Sequence, residues 1–156
     1  MIRMNKLTDY GVVLLTAFAR EPALGISARE LSARTRIPHP TVVKLLKTLL
    51  KAGLLVSQRG TKGGYALSRM PDQIPVAAVI EALEGPLAIT ECNVPGTCEH
   101  EKMCLARPNW TAVNHVIHEA LSRLTLAEMT RPAPARPSVA GPRVPMTAPP
   151  PRSIAP

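Results

Sequence analysis

The 156-residue chain has few aromatic residues and no long apolar run. Trp, Tyr and Phe together make up 3% of it, although 46% of its residues are hydrophobic, so the core must be aliphatic. The absence of a run of 18 or more apolar residues argues against a transmembrane helix. The apolar stretch over residues 12–19 ends at Arg20 without a small-residue cleavage site, which favours a core helix over a signal peptide. The chain also lacks a recognisable nucleophile–base pair, phosphate loop or carboxylate pair, which argues against an enzyme.

Cysteine is scarce too, and all three cysteines lie in one segment, at Cys92, Cys98 and Cys104, spaced C-x5-C-x5-C. An odd number of thiols cannot all form disulfides within one chain, and without an export signal they indicate a reducing cytoplasm. Thiolates on a loop with glycine and proline can converge on one metal centre. The spacing exceeds the roughly two to four residues of a zinc knuckle. It therefore favours an iron–sulfur cluster, 2Fe–2S or 4Fe–4S, while zinc and a thiol redox switch stay open as alternatives.

The formal net charge of +8 is distributed unevenly. Residues 1–83 carry 12 Lys and Arg against 5 Asp and Glu, whereas residues 84–130 carry 3 against 6. A basic front half predicts a polyanionic partner for that half, with a solvated basic surface as the alternative. Residues 131–156 carry 4 Arg, no acid and 9 of the 17 prolines, so we expect a disordered tail there.

Before that tail the pattern predicts a mainly α fold. The predicted helices span residues 7–20, a short stretch after Ser27, 40–52, about 75–84, and 108 to about 128. Ser27 and Glu30 have the capping-box spacing that begins a helix, and Gly53 is placed to end one. Two short β-compatible runs flank the glycine-rich residues 60–64 and predict a hairpin. Helix, turn, helix and hairpin in this order indicate a winged helix-turn-helix.

The predicted third helix has one basic face. Lys44, Lys47 and Lys51 recur at i, i+3 and i+7, so their ammonium groups share a side that can approach phosphates or the major groove. The helix N-terminal end usually reaches the bases, and basic residues between the hairpin glycines can enter a minor groove. The predicted DNA-binding residues are His39, Thr41, Lys44, Lys47, Lys51, Arg59 and Lys62. A lysine face that is merely solvated is the alternative.

Four segments together resemble the IscR/NsrR family of iron–sulfur winged-helix regulators: KLTDYGVVLL, RELSARTRIPHPTVVKLLKTLLKAGLL, the wing SQRGTKGGY and the cysteine loop. The stretches EALEGPLAITEC and CLARPNW look most like the branch that regulates the SUF iron–sulfur assembly system. The resemblance covers roughly residues 3–130. It implies a DNA-binding regulator, expected to be a repressor of iron–sulfur assembly genes, that senses cluster status. Open alternatives are a nitric-oxide or redox sensor of the same fold and a zinc-stabilised DNA-binding protein without a switch.

The resemblance also bears on a fourth cluster ligand beside the three cysteines. Some family members use a histidine three residues after the last cysteine, but this chain has Arg107 there. Others use an aspartate of the partner subunit near the start of the first helix, and Asp9 matches that position. The resemblance thus implies Asp9 as a cofactor-binding residue. Asp9 could instead cap the helix or pair with Lys6, and His100 is a further candidate.

The final predicted helix carries an apolar stripe that one small domain cannot bury alone. Its members are Trp110, Val113, Ile117, Leu121, Leu124 and Leu126. The family uses this helix as an antiparallel dimer contact, so the resemblance implies a homodimer that places two recognition helices on successive half-sites. Packing within the same chain is the alternative. The predicted segments are residues 1–84 for DNA binding, 85–107 for the cysteine loop, 108–130 for dimerisation and 131–156 for the tail.

Overall fold

The computed structural model describes residues 4–21, 25–58, 63–94, 96–100 and 103–131. Its helices are α1 (Lys6–Arg20), α2 (Ala28–Thr35), α3 (His39–Lys51), α4 (Val76–Glu84), α5 (Arg107–Arg123) and α6 (Leu126–Met129). The strands β1 (Leu55–Gln58) and β2 (Gly64–Leu67) form one antiparallel sheet, and short 3-10 turns span Pro71–Gln73 and Glu91–Asn93. This mainly α, winged helix-turn-helix fold confirms the predicted fold class. The predicted helices 7–20, 40–52 and 75–84 each lie within one residue of α1, α3 and α4.

Helix α1 lies at the centre of an aliphatic core. Asn5 begins it as N-cap, because its side-chain oxygen accepts hydrogen bonds from the amides of Leu7 (2.6 Å) and Thr8 (3.3 Å). Leu14 and Phe18 recur at helical spacing on the buried face, and both are at most 1% exposed. Packing against α2, α3, α4 and α6 makes α1 the element around which the others are placed.

Helices α2 and α3 form the helix-turn-helix. Ser27 caps α2 by accepting from the Glu30 amide at 3.2 Å, as predicted, but the Glu30 carboxylate does not reach back. It binds Arg34 one turn later at 2.6 Å, so only half of the capping box forms. The buried face of α3 consists of Val42, Leu45, Leu46 and Leu49. Leu50, the apolar residue that follows Leu49, is exposed.

The hairpin is joined to the chain segment before α2. Its register pairs Leu55 with Leu67 and Gln58 with Gly64. Ile26 adds to its open edge through two backbone hydrogen bonds of 2.9 Å with Tyr65. A Cβ at Gly64 would lie 2.8 Å from the Ile26 carbonyl oxygen, so this close approach requires glycine.

The end of the last predicted helix differs from the structure. Helix α5 stops at Arg123, and Thr125 starts α6 with a complete capping box to Glu128. Leu126 is 1% exposed in the core beside α1, and its amide donates to the Ile74 carbonyl at 2.8 Å. The prediction of one continuous helix to about residue 128 is therefore wrong, as is the placement of Leu126 on a dimer stripe. Burial of this leucine turns the chain back towards the N-terminal core.

Candidate DNA-binding surface and cysteine loop

The basic face of α3 is exposed, as its spacing predicts. Lys44, Lys47 and Lys51 are all exposed on the side opposite the buried leucines. His39 is exposed at the first residue of the helix, and Thr41 is half-buried two residues later. No acidic residue lies in the first turn of α3. This end of the helix can therefore approach a polyanion without a repelling carboxylate of its own.

The α3 lysines differ from Arg34 on α2 in their partners. Across the described residues none of the three lysines forms an ion pair, whereas Arg34 pairs with Glu21 at 2.9 Å and Glu30 at 2.6 Å. Their charges are thus not neutralised by intramolecular carboxylates and can neutralise phosphates. The wing residues Arg59 and Lys62 lie outside the described residues, so their minor-groove contacts stay a prediction.

The cysteine segment forms an irregular loop between α4 and α5. Cys98 and Cys104 are free thiols and are half-buried. The Thr97 hydroxyl bonds to the carbonyl oxygens of Glu91 (2.7 Å) and Val94 (2.8 Å), which folds the first half of the loop on itself. Cys92 has its backbone in the 3-10 turn, but its side chain lies outside the described residues.

The donor chemistry of this loop fits an iron–sulfur cluster. Thiolates are the usual ligands of iron–sulfur units, and Cys98 and Cys104 are neither buried deeply nor paired as a disulfide. Among the described side chains, no three His, Cys, Asp or Glu residues are grouped closely enough to hold a metal ion. That comparison omits the Cys92 thiol, so convergence of the three cysteines remains a prediction.

Asn114 attaches the start of the loop to α5. Its side-chain amide donates to the Leu87 carbonyl at 3.0 Å and accepts from the Ile89 amide at 3.1 Å. Both partners are backbone groups, so the contact fixes the path of the chain just before the first cysteine. A second link joins the helices directly, since His118 Nε2 lies 3.2 Å from Glu81 Oε1 on α4. No local sequence pattern predicts either contact.

Asp9 is exposed in the first turn of α1. Asn5, not Asp9, caps the helix, and the Lys6 ammonium lies 5.4 Å from the centre of the Tyr10 ring. In the described part of the chain, the Asp9 carboxylate has no ion pair or side-chain hydrogen bond. Neither alternative role for Asp9, helix cap or partner of Lys6, is therefore seen. His100 is exposed within the loop, and Arg107 is the first residue of α5.

Glu84, at the end of α4, binds the start of α1. Its carboxylate accepts from the Asn5 amide (3.1 Å), the Asn5 side chain (3.3 Å) and the hydroxyl of Thr8, which is fully buried. The bonds from Thr8 and then Asn5 lower the pKa of Glu84 below its ordinary value, because they favour the charged form. Glu84 thus joins α1, which carries Asp9, to α4, which leads into the cysteine loop. Sequence reasoning missed it because the partners are 76 to 79 residues apart.

We expect Glu84→Gln to lower Tm by a few degrees at pH 7 while keeping the fold, since glutamine has the same shape without the charge. A carboxylate with a lowered folded-state pKa stabilises the protein above its unfolded value of 4.5. That contribution is lost as the pH falls through the lower folded-state pKa. Thermal melts should therefore give a difference from wild type that shrinks below pH 4.5. A difference that stays constant from pH 7 to pH 3 would contradict this account.

The chain matches a known family of proteins. Residues 4–132 match the family model described as Rrf2, iron-dependent transcriptional regulator. The chain belongs to the Rrf2 family. It is a helix-turn-helix transcriptional regulator and not an enzyme, and regulators of this family bind DNA.

Curated Rrf2-family relatives have similar lengths. The HTH-type transcriptional regulator IscR of Sodalis glossinidius is 33% identical over 129 residues, covering 82% of this chain and 79% of the relative. Protein rrf2 of Nitratidesulfovibrio vulgaris is 33% identical over 134 residues, covering 85% and 89%. These matches confirm the resemblance inferred from the sequence at the level of the family.

Solved structures of this fold include two kinds of regulator. IscR from T. potens superposes with a TM-score of 0.64 and 29% identity, covering 82% of this chain and 85% of that one. CymR, the global cysteine regulator of B. subtilis, superposes with a TM-score of 0.66 and 27% identity, covering 83% and 97%. Among the described residues of the Rrf2-family chain, no helix is long and apolar enough to cross a membrane.

Proposed function

We propose that this Rrf2-family protein represses iron–sulfur assembly genes and senses cluster status through an iron–sulfur cluster on Cys92, Cys98 and Cys104. The observation that carries the proposal is the cysteine loop itself, whose two described thiols are free and which leads directly into α5. The IscR relatives at 33% identity support this assignment over an unrelated use of the fold. Free thiols also suit the reducing cytoplasm, where we propose that the protein acts.

Asp9 of the partner subunit is our candidate for the fourth ligand. Its carboxylate is exposed and, among the described residues, lacks an intramolecular partner that would compete for it. A single carboxylate beside three thiolates gives a mixed donor set that is more easily displaced than four thiolates. Such a site suits a sensor better than a structural cofactor.

The cysteine loop is connected on one side to α5 and on the other, through α4, to α1, so a change in the loop can affect both. When bound, a cluster would tie together three points of residues 91–107 through thiolate bonds that are lost on oxidation or cluster release. Asn114 holds Leu87 and Ile89, just before that segment, against α5, and Glu84 joins the end of α4 to α1. Ordering of the loop can therefore change how α5 sits relative to the DNA-binding helices. In a dimer, that change alters the separation of the two recognition helices.

A second copy of the chain is the proposed partner of α5. None of its 17 residues is buried, and Val116 is 63% exposed. Trp110, Ile117 and Leu121 line one side of an apolar groove of about 510 Å³ that α4 and the following segment complete. An exposed apolar helix face beside such a groove is the kind of surface that two copies of a chain can bury against each other in a C2 dimer.

We expect Val113→Glu to raise the dimer dissociation constant at least about 100-fold, because burying an unpaired carboxylate costs about 3–5 kcal/mol. Val113 is 43% exposed and lies on the stripe with Ile117, so the change should not unfold the protomer. The matched control is Thr111→Glu, an exposed position about 160° from Val113 around α5. Sedimentation of the wild type and both variants tests this. Equal dissociation constants for the two variants would count against a dimer formed through this stripe.

Anaerobic purification with iron, sulfide and zinc assays and a UV–visible spectrum tests the proposed function. A brown protein with iron and sulfide, whose affinity for operator DNA differs between the cluster-bound and cluster-free forms, is the expected result. Stoichiometric zinc in a colourless protein would instead favour a structural metal. Equal operator affinity of the two forms would refute the switch while leaving the DNA-binding fold intact.

A cysteine-responsive or thiol-redox regulator is the second candidate, favoured by the similarity to CymR of B. subtilis. Cys98 and Cys104 are half-buried and free, so oxidants can reach them. This candidate predicts a colourless protein after reconstitution, with a DNA affinity that changes reversibly with a thiol oxidant and reductant.

A further inference from the structure

Arg36 has a backbone conformation that its side chain disfavours. It lies between α2 and α3 with φ 59° and ψ 19°, in the left-handed region. The other described residues with positive φ are all glycines, namely Gly53, Gly85 and Gly96. A residue with a Cβ is strained in this region, whereas glycine is not. Glycine would thus serve the turn better than arginine if the turn were the only requirement.

The turn itself is fixed by residues other than the Arg36 side chain. The Arg36 amide donates to the Ser32 carbonyl at 2.9 Å, and the Ser32 hydroxyl donates to the Ile37 carbonyl at 2.7 Å. Ile37, the residue after Arg36, is 4% exposed and packs in the core. These contacts would remain with glycine at position 36, so they do not explain the arginine.

The Arg36 guanidinium takes no part in the ion pairs that the described residues form with one another. Its side chain is exposed, and among the described residues it forms no salt bridge or side-chain hydrogen bond. Arg34, two residues earlier, is held by both Glu21 and Glu30. Arg36 is therefore the cation of this turn that is left available to another molecule.

We propose that Arg36 binds a phosphate of the DNA backbone at the edge of the recognition helix. It precedes the first residue of α3 by three positions, so an exposed cation lies beside the N-terminal end of the helix that carries Lys44 and Lys47. A guanidinium presents a planar fork of donors that matches a phosphate, and duplex DNA offers phosphates along both strands. The strain at position 36 is then the consequence of keeping this contact. The inference rests on DNA binding by this face but not on the cluster or its genes.

The variant Arg36→Gly separates the two roles of the residue. Because the strain is relieved, Tm should stay equal or rise, whereas affinity for DNA should fall about threefold to tenfold at 0.15 M salt. The slope of log K against log salt should become smaller by about one, the signature of one lost phosphate contact. The probes are a duplex selected by the wild type from a random pool and one unrelated duplex. Both should lose affinity by a similar factor, since phosphates carry no sequence information.

Control variants distinguish the loss of one phosphate contact from a general loss of charge or of stability. Arg123→Gln removes one charge from an exposed arginine paired with Glu119 on α5 and should leave the salt slope unchanged. Arg36→Lys keeps the charge and should restore most of the slope. If the glycine variant is less stable, Arg36→Asn, which tolerates the left-handed region, replaces it. A wild type that binds duplex DNA with the same affinity and slope as the glycine or asparagine variant would overturn the proposal. A wild type that binds no duplex would instead refute DNA binding itself.

Discussion

Cys98→Ala should abolish iron and sulfide binding by the anaerobically reconstituted protein and should leave it folded. The chain has 3 cysteines in total, so no spare thiol can replace the one removed. Two thiolates and one carboxylate leave an incomplete ligand set for an iron–sulfur unit. Cys98 is half-buried in a loop rather than in the core, so truncating its side chain should cost about 1 kcal/mol or less.

The effect on operator binding follows from the loss of the cluster. The variant should bind operator DNA as the cluster-free wild type does, both before and after reconstitution, while the wild type changes its affinity on reconstitution. The matched control is Glu99→Gln, which alters an exposed neighbour in the same loop without removing a thiol. Iron analysis, visible spectra and DNA titrations of the three proteins provide the measurement. A Cys98 variant that retains wild-type iron and sulfide would rule out the three-cysteine site.

Leu126→Ala should lower the free energy of unfolding by about 2–5 kcal/mol, the usual result of truncating a buried leucine. Leu126 is 1% exposed and packs in the core beside α1, although it lies beyond the end of α5. The alanine variant loses that burial and leaves a cavity between α6 and α1. Urea denaturation followed by circular dichroism measures the change, at one protein concentration because a dimer adds concentration dependence.

Met129→Ala is the control in the same short helix. Met129 is 45% exposed, so its truncation should change the free energy of unfolding by no more than about 0.5 kcal/mol. Equal losses for Leu126→Ala and Met129→Ala would mean that α6 is not seated in the core. The pair thus tests the difference between the predicted and the observed end of the last long helix.

Local sequence patterns predict most of the helices of this fold. The spacing of Val42, Leu45 and Leu49 predicts the buried face of α3, and the same spacing puts the lysines on the other side. Ser27 marks the start of α2, and Gly53, with φ 73°, follows the end of α3. Each of these signals acts within one or two helical turns, which is why sequence inspection can recover it.

The end of α5 shows where local patterns mislead. Leu121 and Leu124 continue the helical stripe, whereas Leu126, two residues further on, would lie about 160° away from Leu124 around a continuous helix. The break arises because Leu126 gains burial against α1 and because Thr125 and Glu128 cap a new helix. Whether the helix continues depends on the core contacts that Leu126 makes with residues distant in the chain, and a local pattern does not contain those contacts.

The amino-acid sequence by itself determined the helix-turn-helix order, the lysine face of α3 and the grouping of all three cysteines in one loop. Tertiary structure alone decided that Glu84 binds Asn5 and Thr8, that Asn114 holds the start of the cysteine loop, and that Leu126 belongs to the core. The physical reason is range. Periodicity and caps depend on neighbours in the chain. The hydrogen bonds of Glu84 and Asn114 instead join residues 25 to 79 positions apart, and Leu126 packs against residues of α1 that are still more distant in the chain, so these contacts form only after the helices have packed.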